Sequence, residues 1–206
     1  MSDTSLTDDL AYVRDLAEAG QSAPLLGGRF LAWWGGLTTL AYGAHYGIES
    51  GLLGLPNSAL AFTWGGYILI GLVGHIYLAT TLKEKPGGSS IGNQVEGTVW
   101  MAAGFALFAY FGTLVVKSAI GPGATAGFES SLPIVFAAYG IGLMTSGYVS
   151  KQKVLTYAGI GAFAMLALAV WFSGSVTTWA IAALAAFLTV FVPGLILMKR
   201  EPKNVI

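Results

Sequence analysis

Apolar residues along this chain gather into six long runs separated by short polar or glycine-rich breaks. The runs are Phe30–Ile48, Ala59–Leu82, Val95–Val116, Leu132–Val149, Val154–Phe172 and Val176–Met198. A helix rises ~1.5 Å per residue, so about 20 mostly apolar residues cross a hydrocarbon core of roughly 30 Å. Helices buried in a soluble core rarely run that long without charge, and six in series exclude that reading. The pattern predicts an all-α polytopic membrane protein with six transmembrane helices. Its short connections make sequence neighbours antiparallel, in three hairpins.

The breaks carry turn chemistry. Lys85-Pro86-Gly87-Gly88-Ser89-Ser90 reads as a loop, Gly121-Pro122-Gly123 marks the longest connection on the other side, and Ser173-Gly174-Ser175 reads as a tight turn. Asn93-Gln94-Val95-Glu96 has capping-box spacing at the start of the third span, which gives Glu96 a capping role. Ser131 and Pro133 suit the start of the fourth.

Charge adds a direction. Lysine and arginine stay on the cytoplasmic side during insertion. With the N-terminus inside, the cytoplasmic segments hold Arg14, Arg29, Lys83, Lys85, Lys151, Lys153, Lys199, Arg200 and Lys203, and the outer segments hold Lys117 alone. Both termini are therefore expected in the cytoplasm, with the protein integral to a membrane, most simply a bacterial inner (plasma) membrane. Domain limits follow: a cytoplasmic N-terminal segment 1–28, a transmembrane domain 29–199 and a tail 200–206. The chain opens with Asp3, Asp8, Asp9, Asp15 and Glu18 ahead of its first apolar run, unlike a cleavable signal, so that run reads as a retained span. Within the opening segment Leu10, Val13 and Ala17 share one face, with Thr7 as cap and Gly20 as stop, which predicts a short amphipathic cytoplasmic helix.

Composition sharpens the class. The 206 residues are 55% hydrophobic and 10% charged, with zero net charge and no cysteine. A water-soluble surface needs more than twice that charge, so the bilayer is the first partner. The balance offers no field for nucleic acid, and thiolate metal sites are excluded. Acidic and basic residues all sit in loops or within about a turn of a span end. A coupled cation pump normally needs an ionisable group near the midplane, so such coupling is disfavoured. No paired carboxylates, phosphate-cradling loop or nucleophile–base spacing appears, and no catalytic residue, metal or cofactor is expected.

The first two spans share a motif. Trp34-Gly35-Gly36 is followed by His45, and Trp64-Gly65-Gly66 by His75, with eleven residues from Trp to His in both. Eleven residues at ~100° make about three turns, which places Trp and His on one face roughly 16 Å apart. Because the spans run in opposite directions, the copies are candidates for an inverted repeat of the kind found in transporters, with chance similarity in a Gly- and Trp-rich chain as the alternative. His45 is expected ~22 Å from the inner boundary and His75 ~10 Å, too far apart to share a metal ion. His45 and Glu49 are spaced i, i+4 and suit a pair at the outer interface. Each histidine is a candidate polar gate, or else bonds to a neighbouring helix. The candidate pore or gate residues are His45, His75, Thr39, Trp34, Trp64 and Glu49.

Other patterns concern packing. Gly43, Gly47 and Gly51 form a GxxxGxxxG ridge, and Ala138, Gly142 and Ser146 form a second small-residue face. Such faces suit close packing inside the chain, a homo-oligomer or a membrane-protein partner. Pro193 deprives the Thr189 carbonyl of its helical partner, so Pro193-Gly194 is a candidate hinge or static kink. Trp33, Trp34, Trp64, Trp100, Trp171 and Trp179 fall near span ends, as an aromatic belt requires.

Just before the first span, Ser22-Ala23-Pro24-Leu25-Leu26-Gly27 resembles the Asn-Pro-Ala-Pro-Leu-Gly-Leu motif of the acetate/succinate uptake transporter family, without its leading Asn-Pro. Trp64-Gly65-Gly66 is similar to that family's second span, as are the length and span count. The resemblance implies an oligomeric carboxylate channel or carrier with a pore through each subunit. Taken together, the expected function is a passive channel or uncoupled carrier for a small solute, a small carboxylate among the candidates. A non-transporting accessory or signalling subunit stays open, as does a lipid- or quinone-binding protein.

Overall fold

The computed structural model describes residues 11–12, 25–81, 88, 90–120, 128 and 130–200. The expected N-terminal amphipathic helix, apart from Ala11 and Tyr12, lies outside them, as do the 82–87 connection, the Gly121–Gly123 turn and the tail beyond Arg200. The described residues form helices joined by short turns, with no strand among them. The helices are α1 (Gly28–Glu49), α2 (Ala59–Thr80), α3 (Ile91–Ile120), α4 (Leu132–Val149), α5 (Lys153–Trp171), α6 (Thr177–Ala186) and α7 (Val192–Arg200). A π turn, Phe187–Phe191, joins α6 to α7 without interruption.

Five described helices are long and apolar enough to cross a membrane: α2, α3, α4, α5 and the continuous α6–α7 unit. The chain is an all-α, multi-pass membrane protein. Helix α1 has the length, 22 residues, but not the apolarity. Its position explains the difference. It packs against α2 on one side and along the whole of α6–α7 on the other. Gly28, Leu31, Ala32, Gly35, Thr38, Ala41, Tyr42 and His45 are buried along its length. A helix wrapped by other helices meets little lipid, so polar side chains on it find partners instead of hydrocarbon.

Contacting residues show that neighbours run antiparallel. Gly140 meets Phe163 and Gly147 meets Thr156 across α4 and α5, the most extensive pairing. Gly142 receives the ring of Trp100 from α3. On α1, a Cβ at Gly35 would lie 2.6 Å from the Phe191 backbone nitrogen, and one at Gly194 would overlap the Ala32 nitrogen. The tightest approach is thus α1 against the π turn and α7. The core is continuous from Leu31 and Tyr42 through Phe136, Tyr139 and Leu143 to Met165, Trp179 and Val190. Helices α2 and α3, adjacent in sequence, scarcely touch each other. Their outer faces present Phe62, Leu69, Ile76, Phe105 and Phe108.

Two local expectations change. Helix α3 begins at Ile91, and Ser90 supplies the cap: its hydroxyl accepts from the Asn93 backbone N–H at 3.3 Å and from the Asn93 amide at 3.0 Å. The proposed Asn93–Glu96 box lies inside the first turns, where Glu96 is buried with its carboxylate against Gly27. Near the end of the sixth run, the missing N–H of Pro193 is preceded by a widened turn in which the Val192 N–H reaches back to the Phe187 carbonyl. The i+5 register absorbs the defect that proline puts into an i+4 ladder.

Candidate functional site

The duplicated Trp…His motif is joined crosswise. The Trp34 indole N–H donates to His75 Nδ1 at 3.1 Å, and the Trp64 indole N–H donates to His45 Nδ1 at 3.1 Å. Each tryptophan therefore binds the other copy's histidine across the α1–α2 pair. The two bonds are related by an approximate twofold that passes between Thr39 and Leu40 on α1 and between Leu69 and Ile70 on α2. Trp33 adds a third tie, donating to the Gly71 carbonyl at 3.1 Å. Gly71 and Gly74 supply the missing side chains beneath the Trp34 and Trp33 rings. The glycines of the two copies are not equivalent. Gly35 and Gly36 admit Phe191 of the π turn, whereas Gly65 and Gly66 have nothing within 4 Å.

This register sets the histidines at opposite ends of the pair, eleven residues or ~16 Å apart along each helix. His75 is exposed, tilted against Phe30 at 4.8 Å between ring centroids. His45 is 6% exposed and stacks flat on Trp179, centroids 3.6 Å apart and planes 15° apart. Because Trp64 donates to Nδ1, a neutral His45 must carry its proton on Nε2. Nε2 is buried without an aligned hydrogen bond and faces Glu49 Oε1 at 3.1 Å. Trp64, His45 and Glu49 thus follow one another from α2 to the end of α1.

Between the two clasps lies a cluster of hydroxyls. Thr38, 2% exposed, has its Oγ1 3.0 Å from the Tyr67 hydroxyl and 3.2 Å from the Tyr139 hydroxyl, bringing α1, α2 and α4 together. On α4, the buried Ser146 hydroxyl accepts from the Trp100 indole at 3.3 Å. Thr39, the expected pore threonine, donates instead to the Gly35 carbonyl of its own helix at 2.7 Å. One residue is ~100° of rotation, enough to exchange an interior hydroxyl for a self-bonded one.

Beyond His45, at the end of the bundle where α1 stops, opens a vestibule of about 250 Å³. Glu49, Asn57, Ser175, Thr178 and Trp179 line it, with Leu132, Gly174 and Val176. Gly174, at φ +84°, makes the tight turn that carries Ser175 over it. The Thr178 hydroxyl donates to the Phe172 carbonyl at 2.6 Å and pins the start of α6.

The aromatic belt needs correction. Trp33, Trp34, Trp64 and Trp100 each spend their indole N–H inside the bundle, and Trp179 is 5% exposed at its centre. Trp171 alone of the six is strongly exposed. The glycine ridge also sits elsewhere than the intrachain contacts do. Gly43 and Gly51 meet nothing within 4 Å, Gly51 because it turns the chain at φ +77°, and Gly47 meets only Leu53. Gly142 and Ser146 do pack tightly, against Trp100, beside half-buried Ala138. Pro193 and Gly194 are both buried against α1.

Sequence reasoning missed Thr38, Tyr42, Tyr67, Tyr139, Asn57 and Trp179. One signal was present. Trp34, Thr38, Tyr42, His45 and Glu49 recur at spacings of three and four, a single stripe of one helix. Set against known protein families, characterised proteins and solved structures, the chain matches none.

Proposed function

We propose that the protein is a passive channel or uncoupled carrier for a small solute. It would have six spans, α1 included, and both termini in the cytoplasm. The observation that carries this reading is the α1 stripe. From the Glu49 vestibule through His45, Tyr42 and Thr38 to Trp34, hydrogen-bonding groups follow one another along one face of α1. In a hydrocarbon setting an ionisable group such as His45 is costly to keep and marks a candidate solute path. The clasps at the two ends of α1–α2 resemble the inverted-repeat arrangement of transporters, where each end opens in turn.

The orientation rests on charge. Arg29, Lys151, Lys153, Lys199 and Arg200 gather where α1 begins, and Lys117 is the described basic residue at the other end. The positive-inside rule then makes the vestibule the outer mouth. Its walls bear on the solute as well. Glu49 contributes an acidic group, and among the described residues no lysine or arginine lines the space. A neutral or cationic solute suits these walls better than a small carboxylate.

Proteoliposome flux tests the proposal. Protein-containing vesicles should pass glycerol or choline faster than empty ones, and Thr38→Val and Glu49→Gln should each lower the rate by at least ~10-fold, or about 1.4 kcal/mol in barrier. Permeability equal to that of empty vesicles for neutral, cationic and anionic probes would overturn it.

A further inference from the structure

We infer that the vestibule at the end of α1 is a binding site for a small organic cation, with Glu49 as its fixed counter-charge. The site is located by the reading above, but its ligand class rests on separate features.

The first is the carboxylate. A surface glutamate swings freely and hydrates, whereas Glu49 faces the Nε2 of a buried histidine at 3.1 Å. That histidine is held in turn by the Trp64 indole and by its stack on Trp179. The 3.1 Å approach of Nε2 sets the carboxylate beside the histidine, and Glu49 at the same time lines the vestibule. The histidine Nε2 makes no aligned hydrogen bond among the described residues, so the contact with Glu49 is a close approach of a buried polar atom to the carboxylate.

The second is the rest of the lining. Trp179 gives one ring face to His45 and also lines the vestibule. An indole is the best aromatic partner for a cation, and the attraction strengthens where water is displaced. Asn57 and Ser175 add neutral hydrogen-bonding groups, and Leu132 an apolar floor. A space lined by one sign of charge and set in low-dielectric walls concentrates ions of the other sign. Its size, about 250 Å³, lies below that of typical drug-sized pockets, so the ligand is small. An alkylammonium or choline-sized cation meets all of these conditions. A carboxylate would face Glu49 without a counter-charge, and a neutral polyol would leave the Glu49 charge unpaired.

The test is a titration of the full chain in lipid nanodiscs, read by tryptophan fluorescence, with choline chloride against sodium acetate and glycerol at matched ionic strength. Choline should give a saturable change, and acetate and glycerol none. Glu49→Gln should weaken choline binding at least ~10-fold. Ser175→Lys, on an exposed turn, should abolish it and produce a response to acetate, which keeps the test valid if the Glu49 variant does not fold. Trp171→Phe should leave the titration unchanged. Equal responses to all three probes, or choline binding that survives both vestibule substitutions, would overturn the inference. The flux assay separates the two claims. Choline binding without flux of any probe leaves the site standing and removes the channel, whereas glycerol flux without choline binding does the reverse.

Discussion

Helix α1 carries Trp34, Thr38, Tyr42, His45 and Glu49 on one face and falls short of the apolarity of a span, yet it is buried along its whole length. Helix α3 is 30 residues long, strongly apolar, and buries none of its most apolar stretch. The two are opposite in the way a membrane solvent requires. Lipid accepts apolar surface at no cost, so a helix at the rim needs only to be greasy and touches the bundle by one narrow stripe, here Glu96, Trp100, Leu107 and Phe111. At the centre no hydrophobic drive remains between apolar helices, and close packing and hydrogen bonds hold them instead. Glycines and polar side chains therefore collect on α1.

Substitutions can break this contrast. The largest effect is expected at Phe136, fully buried where α1 and α4 meet. Phe136→Ala should lower the free energy of SDS-induced unfolding by about 3 kcal/mol. Phe105→Ala on the α3 rim, 67% exposed, should stay within ~0.5 kcal/mol. Comparable losses would mean that α3 is covered by something in the membrane.

Backbone approach comes next. Gly35→Leu must displace the π turn and should cost about 1–3 kcal/mol in the same titration. Gly104→Leu on α3, with nothing within 4 Å, should be silent. The same pairing separates the two motif copies, because Gly65→Leu should be as mild as Gly104→Leu despite its matching sequence context.

Smaller effects test the clasps. Double-mutant cycles of Trp34→Phe with His75→Ala, and of Trp64→Phe with His45→Ala, should each show a coupling of about 0.6 kcal/mol, and no more than ~1.7 kcal/mol. The within-copy pairs, Trp34 with His45 and Trp64 with His75, should show none. Coupling in the within-copy cycles would sink the crosswise arrangement. The smallest effect on stability belongs to Glu49→Gln at the vestibule, expected within ~0.5 kcal/mol while it lowers flux and cation binding.

Much of the fold was legible along the chain. The Leu132–Val149 run matches α4 residue for residue, and the other runs differ from the observed helices by a few residues at their ends. Helix existence is a local property, fixed by run length and by breakers such as Gly51 and Gly174, so one sequence suffices to read it. The site was legible only in part. His45, His75, Trp34, Trp64 and Glu49 stood out because ionisable and aromatic residues in an apolar run are conspicuous. Thr38 did not, since two adjacent threonines are indistinguishable until the helix has neighbours. Trp179 looked like an interfacial anchor because its place near a span end says nothing of which way its ring turns.

The sequence by itself determined that there are long apolar helices, where they break, that basic residues concentrate on one side of them, and that one Trp…His spacing occurs twice. Tertiary structure alone decided which tryptophan binds which histidine, that the less apolar α1 packs between α2 and the α6–α7 unit, and that Glu49 lies beside a buried histidine at a vestibule. The reason is range. Periodicity and turn chemistry act over a few residues, whereas the Trp34–His75 bond joins positions 41 residues apart and the Thr38–Tyr139 contact positions 101 apart. Such contacts exist only once the packing of α1 against α2, α4 and α6 has chosen which faces meet.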